Sequence, residues 1–257
     1  MKSCTIMMVT YNRLDLTKKM LESLWKSADY PFNLVIVDNG STDGTVEYLR
    51  DTFNPDLTHD EWPFGDCVQI PYIHLNGENL GIAKGRNLAL KLAVEKFNSD
   101  WLCTVDNDVE MPFGWLKESI SIMENCPSFA AIGVNMEDKP YPLVTLNNKV
   151  FQEKPFGNLG TACMVFNKKI QKLLGYFNIE YGPYGEEDAD FGVRMRVLNY
   201  KMGYVEKMGI HLGSGDNDVG EYRAFKDECR SKNSVKFREN CRLYASKRKS
   251  YYLPYKV

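Results

Sequence analysis

Short apolar runs alternate with helical patterns through the first half of the chain, and this alternation restricts the possible folds more than any other feature. Four runs have the length and composition of buried strands: Thr5–Val9, Leu34–Val37, Tyr72–Leu75 and Trp101–Val105. After the first run, Leu16, Met20 and Leu24 recur at the spacing of one helix face. Such alternation predicts an α/β fold in which a mainly parallel, Rossmann-like central sheet is flanked by helices and connected by right-handed crossovers.

Composition and charge narrow the class of protein. The 257 residues suffice for one large α/β domain or two small ones, and the net charge of -2 shows no overall bias toward nucleic acid or membrane. The seven cysteines are scattered and lack C-x-x-C spacing, which favours a reducing, cytoplasmic location. Because no stretch of about 18 apolar residues occurs, we expect no transmembrane helix, and attachment to the periphery of a membrane stays open.

Two acidic residues end the fourth apolar run. Asp106 and Asp108 follow it directly, and side chains at positions i and i+2 of an extended segment point the same way. Ligands of open α/β sheets bind at the carboxyl ends of the strands, so both carboxylates can converge there on a divalent cation such as Mg²⁺ or Mn²⁺. The alternative is an Asp-rich turn that caps a helix beginning at Pro112.

Polar loops also follow the second and third runs. After the second run, Asp43 is placed to cap the next helix. After the third, a glycine-bearing loop opens a helix with Lys84 and Arg86 near its start, and such a loop can hold a phosphate through backbone N–H groups and positive charge. The alternative is an ordinary helix entry with solvated basic side chains.

Four segments, taken in order, resemble the family 2 glycosyltransferases of the GT-A fold. They are Val9–Arg13, Val37–Gly44, Asn79–Asn87 and Asp106–Asp108. The resemblance covers residues 3 to 213 and implies a glycosyltransferase domain over residues 1–215. Within it, 1–108 would be the nucleotide-sugar-binding half and 109–215 the acceptor-binding half, with 216–257 as a C-terminal extension.

The resemblance also implies roles for individual residues. Those implied to bind the donor nucleotide are Thr10, Tyr11, Asn12, Arg13, Asp38, Asn39, Asn79, Gly81, Arg86, Asp106 and Asn107. In this assignment the Tyr11 ring stacks on the base and Asp38 bonds the base edge, the alternatives being packing for Tyr11 and a turn for Asp38. Asp106, Asp108 and His211 would bind the divalent cation, whereas a histidine on an apolar strand is equally compatible with a hydrogen-bonded core residue.

A second acidic cluster, Tyr184–Phe191, opens a helix that runs to about Asn199. Carboxylates favour a helix N-terminus electrostatically, so capping is one explanation. The cluster also resembles the Glu-Asp motif of the family, which implies that Asp188 is the general base toward the acceptor hydroxyl and that Glu187 belongs to the catalytic site. Glu187 and Asp190 would either orient the acceptor or remain solvated.

The rest of the chain is less informative. A helix over Pro112–Glu124 and strands over Ala130–Val134 and Gly160–Phe166 are expected, whereas Asn135–Phe156 stays unassigned and is a candidate for acceptor-facing loops. Asn54–Asp66 has the composition of a surface excursion.

The end of the extension is basic and rich in tyrosine. From residue 236 onward, seven Lys or Arg residues stand against one acid, and Tyr244, Tyr251, Tyr252 and Tyr255 are interleaved with them. Such a surface suits an anionic acceptor, a partner or a membrane face. The alternatives are a solvated terminal helix and a tail packed on the domain.

The sequence thus predicts a glycosyltransferase that uses Mn²⁺ or Mg²⁺ and moves a sugar from a nucleotide-diphospho-sugar to an acceptor hydroxyl. The family resemblance alone implies inversion at the anomeric carbon and favours a UDP-sugar as the donor. The acceptor could be a glycan, a lipid-linked glycan or another hydroxyl compound. Three alternatives stay open: the same chemistry on a nucleic acid with modified bases, a nucleotidyltransferase, and a non-catalytic nucleotide-sugar-binding protein. A nucleotidyltransferase would usually carry a basic glycine-rich loop where this chain has Thr10–Arg13.

Overall fold

The computed structural model describes residues 3–54, 71–137, 140–213 and 221–256. The predicted surface excursion beyond Asn54, and the first residues of the 216–257 extension, lie outside the described residues. The described α-helices are α1 (Leu14–Ser27), α2 (Thr45–Thr52), α3 (Ile82–Lys96), α4 (Trp115–Asn125), α5 (Lys168–Leu174), α6 (Glu187–Val197) and α7 (Glu221–Ala245). The described strands are β1 (Cys4–Thr10), β2 (Phe32–Asp38), β3 (Tyr72–Leu75), β4 (Trp101–Asp106), β5 (Val109–Glu110), β6 (Phe129–Asn135), β7 (Leu143–Leu146), β8 (Lys149–Glu153), β9 (Cys163–Asn167), β10 (Lys201–Met208) and β11 (Ile210–His211).

Nine of the described strands form one sheet in the order β3-β2-β1-β4-β9-β6-β10-β8-β7, and β5 pairs with β11 in a second, small sheet. The strands β1 to β4 run parallel, as do β6 and β10. Between these two groups, β9 runs antiparallel to both β4 and β6. The predicted α/β fold, with a large central sheet flanked by helices, is confirmed.

Helices pack on both faces of the large sheet because its inner strands are apolar on both sides. Ile6 and Met8 of β1 lie in a core shared with α1, α2 and α4, whereas Met7 lies in a core shared with α3, α5 and α6. Successive side chains of a strand point to opposite faces. A strand buried on both faces is therefore a continuous apolar run, which is why the sequence pattern identifies β1, β2 and β4.

The carboxyl ends of three neighbouring strands meet at one edge of this sheet. Thr10 of β1 is paired with Asp38 of β2, and Val9 is paired with Asp106 of β4. The loops that follow these strands therefore begin side by side. This edge brings the predicted donor and metal residues into one region.

The structure corrects two predicted boundaries. The helix expected from Pro112 begins at Trp115, because Gly114 precedes it in a left-handed conformation with a φ of 83°. The strand expected from Gly160 begins at Cys163, since Thr161 and Ala162 form a turn.

A hairpin occupies part of the segment that the sequence left unassigned. The strands β7 and β8 pair antiparallel on either side of Asn147 and Asn148, whose φ angles are 49° and 61°. Two consecutive residues with positive φ make the tight turn that suits twisted strands, and asparagine tolerates this conformation. The Asn-Asn pair between two apolar stretches is the sequence signal for this hairpin.

The C-terminal extension packs on the rest of the structure. The Tyr244 side chain is fully buried, and Leu253 forms backbone hydrogen bonds with Leu174 and Tyr176. The Tyr255 ring contacts Tyr176 with centroids 5.1 Å apart. Of the alternatives for the tail, packing on the domain is the one that these residues follow. Among the described helices, including the long α7, we find none with the length and apolar character needed to cross a membrane.

The structure corrects the prediction for Asp190. This residue is neither solvated nor placed to orient an acceptor. Its carboxylate is fully buried, with Oδ1 2.8 Å from Nε of Arg194. The hydroxyl groups of Tyr181 and Tyr244 donate to Oδ2 at 2.8 and 3.0 Å, and the Asn178 amide donates at 3.2 Å. Asp190 therefore anchors α7 and the tail to α6.

Candidate active site

An open cleft of about 1080 Å³ lies at the carboxyl edge of the sheet. The predicted site residues that line it are Tyr11, Arg13, Asn39, Asn79, Arg86, Asp106, Asn107, Asp108, Glu187, Asp188 and His211. They come from both halves of the chain. The structure therefore brings the predicted donor, metal and base residues together in one concave site.

The other residues predicted to bind the donor do not line the cleft and instead shape the loops behind it. Asp38 is fully buried, and one of its carboxylate oxygens accepts hydrogen bonds from the backbone N–H groups of Gly40 and Ser41 at 3.0 and 2.9 Å. Its other oxygen accepts from the Ser41 hydroxyl at 2.5 Å. Asn12 joins the first two loops, because its side-chain oxygen accepts from the N–H of Thr42 at 2.8 Å. A contact between Asp38 and a nucleotide base stays a prediction.

Asn107 attaches the segment Asp106–Asp108 to the end of β1 and the start of α1. Its amide nitrogen donates to the hydroxyl groups of Thr10 and Thr17 at 3.1 and 3.0 Å. Both hydroxyl-bearing residues are buried. This anchoring orients the neighbouring residues Asp106 and Asp108.

The loop before α3 closely contacts the predicted acceptor-binding half at Gly81. Asn39 donates to the side-chain oxygen of Asn79 at 3.1 Å and to the Gly81 carbonyl at 3.2 Å. Gly81 has a φ of 82°, and a Cβ added there would lie 2.7 Å from Cα of Pro183. Only glycine fits both this conformation and this approach. Gly81 thus lets the loop before α3 pack on the segment that leads into α6.

Asp43 caps the start of two helices. Its carboxylate accepts hydrogen bonds from the N–H groups of Thr45 in α2 and Leu14 in α1, at 3.2 and 2.9 Å. The expected cap of α2 therefore also fixes α1.

Asp106, Asp108 and His211 form the candidate metal centre. Each offers a ligand atom, and these atoms lie within 4.8 Å of one another. The antiparallel pairing of β5 with β11 places His211 opposite Val109, and the N–H of Leu212 donates to the Asp108 carbonyl at 2.8 Å. His211 Nε2 consequently lies 3.8 Å from Oδ1 of Asp108.

The chemistry of this ligand set fits a divalent cation. Two carboxylates and an imidazole suit Mn²⁺, and the carboxylate oxygens suit Mg²⁺ as well. Burial and the nearby Asp106 raise the pKa of Asp108, while His211 and Arg13 oppose this increase. The unfavourable proximity of two carboxylates is what a bound cation would relieve.

Two arginines pair with the candidate metal ligands. Arg13 Nη1 lies 2.7 Å from Oδ2 of Asp108, and Arg86 Nη2 lies 2.7 Å from Oδ1 of Asp106. Close packing surrounds the first pair, since a Cβ added at Gly213 would lie 2.0 Å from Oδ2 of Asp108. Gly213 is thus a site residue that the sequence pattern did not identify.

The predicted base lies at the N-terminus of α6. Glu186 precedes the helix in a left-handed conformation with a φ of 72°, which turns the chain so that Glu187 and Asp188 enter the cleft. The Asp188 carboxylate accepts a hydrogen bond from the N–H of Ala189 at 2.7 Å. Burial raises the pKa of Asp188, and the nearby Arg86 opposes this increase.

The extension supplies a wall of the cleft that the sequence analysis placed outside the site. Residues of α7 in this wall are Arg223, Phe225, Lys226, Asp227 and Arg230. Arg230 Nη2 donates to the Tyr184 hydroxyl at 3.0 Å, and Lys226 Nζ lies 5.0 Å from the centre of the Tyr184 ring. The spacing of the three basic residues along one helix face was a usable signal.

Comparison with known proteins defines the class to which this fold and site belong. The model of "Glycosyl transferase family 2" matches residues 5–176. The chain therefore belongs to glycosyltransferase family 2, and the predicted family is confirmed.

Two curated relatives show the range of similar proteins. The chain is 28% identical over 184 residues to an uncharacterized glycosyltransferase of Acanthamoeba polyphaga mimivirus. The aligned region covers 71% of this chain and 66% of that protein. It is 21% identical over 266 residues to the chondroitin synthase of Pasteurella multocida, covering 84% of this chain and 26% of the synthase. The chain thus spans less than two thirds of the length of these relatives.

Solved structures share the fold. TarS of S. aureus (residues 1–349), in complex with UDP-GlcNAc, superposes with a TM-score of 0.58 at 20% identity, covering 93% of this chain and 72% of that one. The mannosyltransferase PcManGT of Pyrobaculum calidifontis, in complex with GDP-Man and Mn²⁺, gives a TM-score of 0.58 at 16% identity, with 94% and 68% covered.

Proposed function

We propose that this protein transfers a sugar from a nucleotide-diphospho-sugar to an acceptor hydroxyl with the help of a divalent cation. The observation that carries the proposal is the convergence of Asp106, Asp108 and His211 in the same cleft as Asp188. A cation held by these ligands would suit a diphosphate, and the separate carboxylate of Asp188 suits a proton acceptor. Membership in glycosyltransferase family 2 supports the same reaction.

The donor would occupy the side of the cleft built by the first loops. The Tyr11 ring is 39% exposed and lines the cleft, so it is available for stacking on a base. Asn39 and Asn79 line the same cleft. We favour a uridine donor from the family resemblance, and the structural neighbours in complex with UDP-GlcNAc and GDP-Man are consistent with a nucleoside diphosphate in this fold.

Asp106, Asp108 and His211 would hold Mn²⁺ or Mg²⁺. When bound, such an ion supplies positive charge that stabilises the leaving diphosphate. Arg13 and Arg86 adjoin the ligands and keep positive charge at the same end of the cleft.

Asp188 would accept the proton of the acceptor hydroxyl. A general base must lie within hydrogen-bonding reach of that hydroxyl and be unprotonated when the reaction occurs. Attack from the side opposite the leaving diphosphate would invert the anomeric configuration. The position of Asp188 at the N-terminus of α6, facing the cleft, supports this role.

The acceptor would enter between α6, α7 and the loop around Asn158 and Thr161. A glycan, a lipid-linked glycan or another hydroxyl compound remains our proposal for it. A nucleic-acid acceptor is less favoured because Tyr244 is fully buried and the hydroxyl of Tyr251 donates to the Tyr244 carbonyl at 3.1 Å, which leaves only Tyr252 of these three tyrosines largely exposed. The described cysteines are all free, which supports the proposal of a reducing compartment such as the cytoplasm.

The family match disfavours a nucleotidyltransferase. The Asp188 carboxylate in the cleft disfavours a binding protein without catalytic activity.

The test is a screen of nucleotide sugars for release of nucleoside diphosphate in the presence of Mn²⁺ or Mg²⁺. At least one donor should be consumed, and excess chelator or Asp108→Ala should abolish its turnover while the variant keeps the wild-type melting temperature to within a few degrees. Full turnover in chelator would contradict the metal site. If a nucleotide sugar binds but is not turned over with any of the acceptor classes tested, the result would favour a non-catalytic binding protein.

A further inference from the structure

One guanidinium connects the two halves of the active site. Arg86 Nη2 bonds Asp106 at the end of β4, and Arg86 Nη1 bonds Glu187 at the start of α6. Arg86 is 7% exposed and Glu187 is 4% exposed. The bridge therefore runs through the protein interior from a candidate metal ligand to the residue beside the proposed base.

Negative charges outnumber positive charges around this bridge. An arginine side chain stays charged in proteins, so the guanidinium of Arg86 supplies the positive charge that Asp106 and Glu187 contact. Several carboxylates thus share one positive charge. The second carboxylate oxygen of Glu187, Oε2, is buried and has no hydrogen-bond partner among the described residues. An unpaired buried oxygen costs free energy, so its presence calls for a reason other than stability.

We propose that Glu187 is a positioning residue that acts on the divalent-cation site through Arg86. By binding Nη1, Glu187 holds the guanidinium between two carboxylates, so that Asp106 is oriented but only partly neutralised. Without the Glu187 charge, Arg86 would pair with Asp106 alone and compete with the cation more strongly. This inference rests on the cation site of the proposed function, and it gives Glu187 a role distinct from that of Asp188.

Binding of Mn²⁺ to the protein alone tests this role directly, with free Mn²⁺ measured by electron paramagnetic resonance. Partners that orient metal ligands typically change metal affinity by about 10–100-fold when they are altered. Glu187→Gln should therefore raise the Kd for Mn²⁺ by about that factor. Glu180→Gln is the matched control, because it also removes a carboxylate from an ion pair, with Lys249, and Glu180 does not line the cleft. Its Mn²⁺ affinity should equal that of the wild type.

A double-mutant cycle shows whether Arg86 transmits the effect. In an Arg86→Gln background, Glu187→Gln should weaken Mn²⁺ binding far less than it does in the wild type, because coupled residues are not additive. Turnover supplies an independent measurement. Saturating Mn²⁺ should restore most of the kcat of Glu187→Gln, whereas Asp188→Asn should remain slow at any Mn²⁺ concentration. If Glu187→Gln fails to fold, Glu187→Asp keeps the charge but shortens the reach to Arg86, and it should weaken Mn²⁺ binding in the same sense.

The outcomes separate this inference from the proposed function. Wild-type Mn²⁺ affinity in a folded Glu187→Gln protein overturns the role of Glu187 and leaves the cation site intact. An equal loss in both Arg86 backgrounds also overturns it, because Glu187 would then act directly. If the wild type itself does not bind Mn²⁺, both this inference and the proposed cation site fail. Mn²⁺ binding without transfer of any sugar would refute the proposed activity alone.

Discussion

The buried pair of Asp190 and Arg194 provides the sharpest stability prediction. Both side chains are fully buried, and the carboxylate also accepts hydrogen bonds from the hydroxyl groups of Tyr181 and Tyr244. Asp190→Asn keeps the shape of the side chain but leaves Arg194 as a buried charge without a carboxylate. The substitution therefore tests how strongly this network attaches α7 to the helix that carries Asp188.

Its magnitude follows from what Arg194 retains. Removing one partner of a buried ion pair costs about 3–5 kcal/mol. Arg194 still donates to the carbonyls of Leu174, Tyr176 and Tyr251 at 2.7–3.1 Å, so we expect a value near the lower limit, about 3 kcal/mol. For a chain of this size, about 2–4 °C of melting temperature corresponds to 1 kcal/mol, which gives a decrease of roughly 6–12 °C.

Differential scanning calorimetry measures this decrease. Glu228→Gln is the control, because it removes an exposed carboxylate of α7 that pairs with Lys232, and it should not change the melting temperature measurably. A decrease for Asp190→Asn of less than about 2 °C would refute the reasoning, since the conversion above would then assign the pair at most about 1 kcal/mol.

Four further predictions concern the cleft and the tail. Asp188→Asn should lower kcat by about 10²–10⁴-fold with nearly unchanged donor affinity. Because burial raises the pKa of Asp188, wild-type kcat/KM should fall with decreasing pH at a pKa above the usual carboxyl range, and a profile flat down to pH 4 would contradict this base. Asp38→Ala should weaken nucleotide binding in calorimetry by about 1–3 kcal/mol, because the loop held by its carboxylate loosens; unchanged affinity would place the nucleotide elsewhere. Truncation after Leu243 removes the buried Tyr244 and should lower the melting temperature and both donor and acceptor activities together, whereas loss of acceptor affinity alone would restore the tail as an acceptor surface.

Local sequence was sufficient to predict the strands of residues 1–108, the predicted nucleotide-sugar-binding half. The apolar runs that become β1, β2 and β4 are buried on both faces, so each is visible as a continuous stretch without knowledge of its neighbours. The parallel arrangement then requires that the loops after these strands share one edge, which places Asp106 and Asp108 beside the residues after Thr10. The local pattern left two interpretations of Asp38 open, a contact with the base and a turn, and the structure shows that its carboxylate bonds within its own loop.

Only the tertiary structure decided the remaining contacts of the site. His211 reaches Asp108 because β11 pairs with β5, a match of two short strands about 100 residues apart that no local pattern specifies.

The same limit explains the bridge of Arg86, the burial of Asp190 and the wall formed by α7. In each case the sequence alone allows a charged side chain to be solvated, to cap a helix or to form an ion pair. The fold determines which partner it contacts and how deeply it is buried. The sequence by itself therefore determined the fold, the family and the kinds of groups in the cleft. The tertiary structure determined which charges meet there, because pairing and burial depend on residues far apart in the chain.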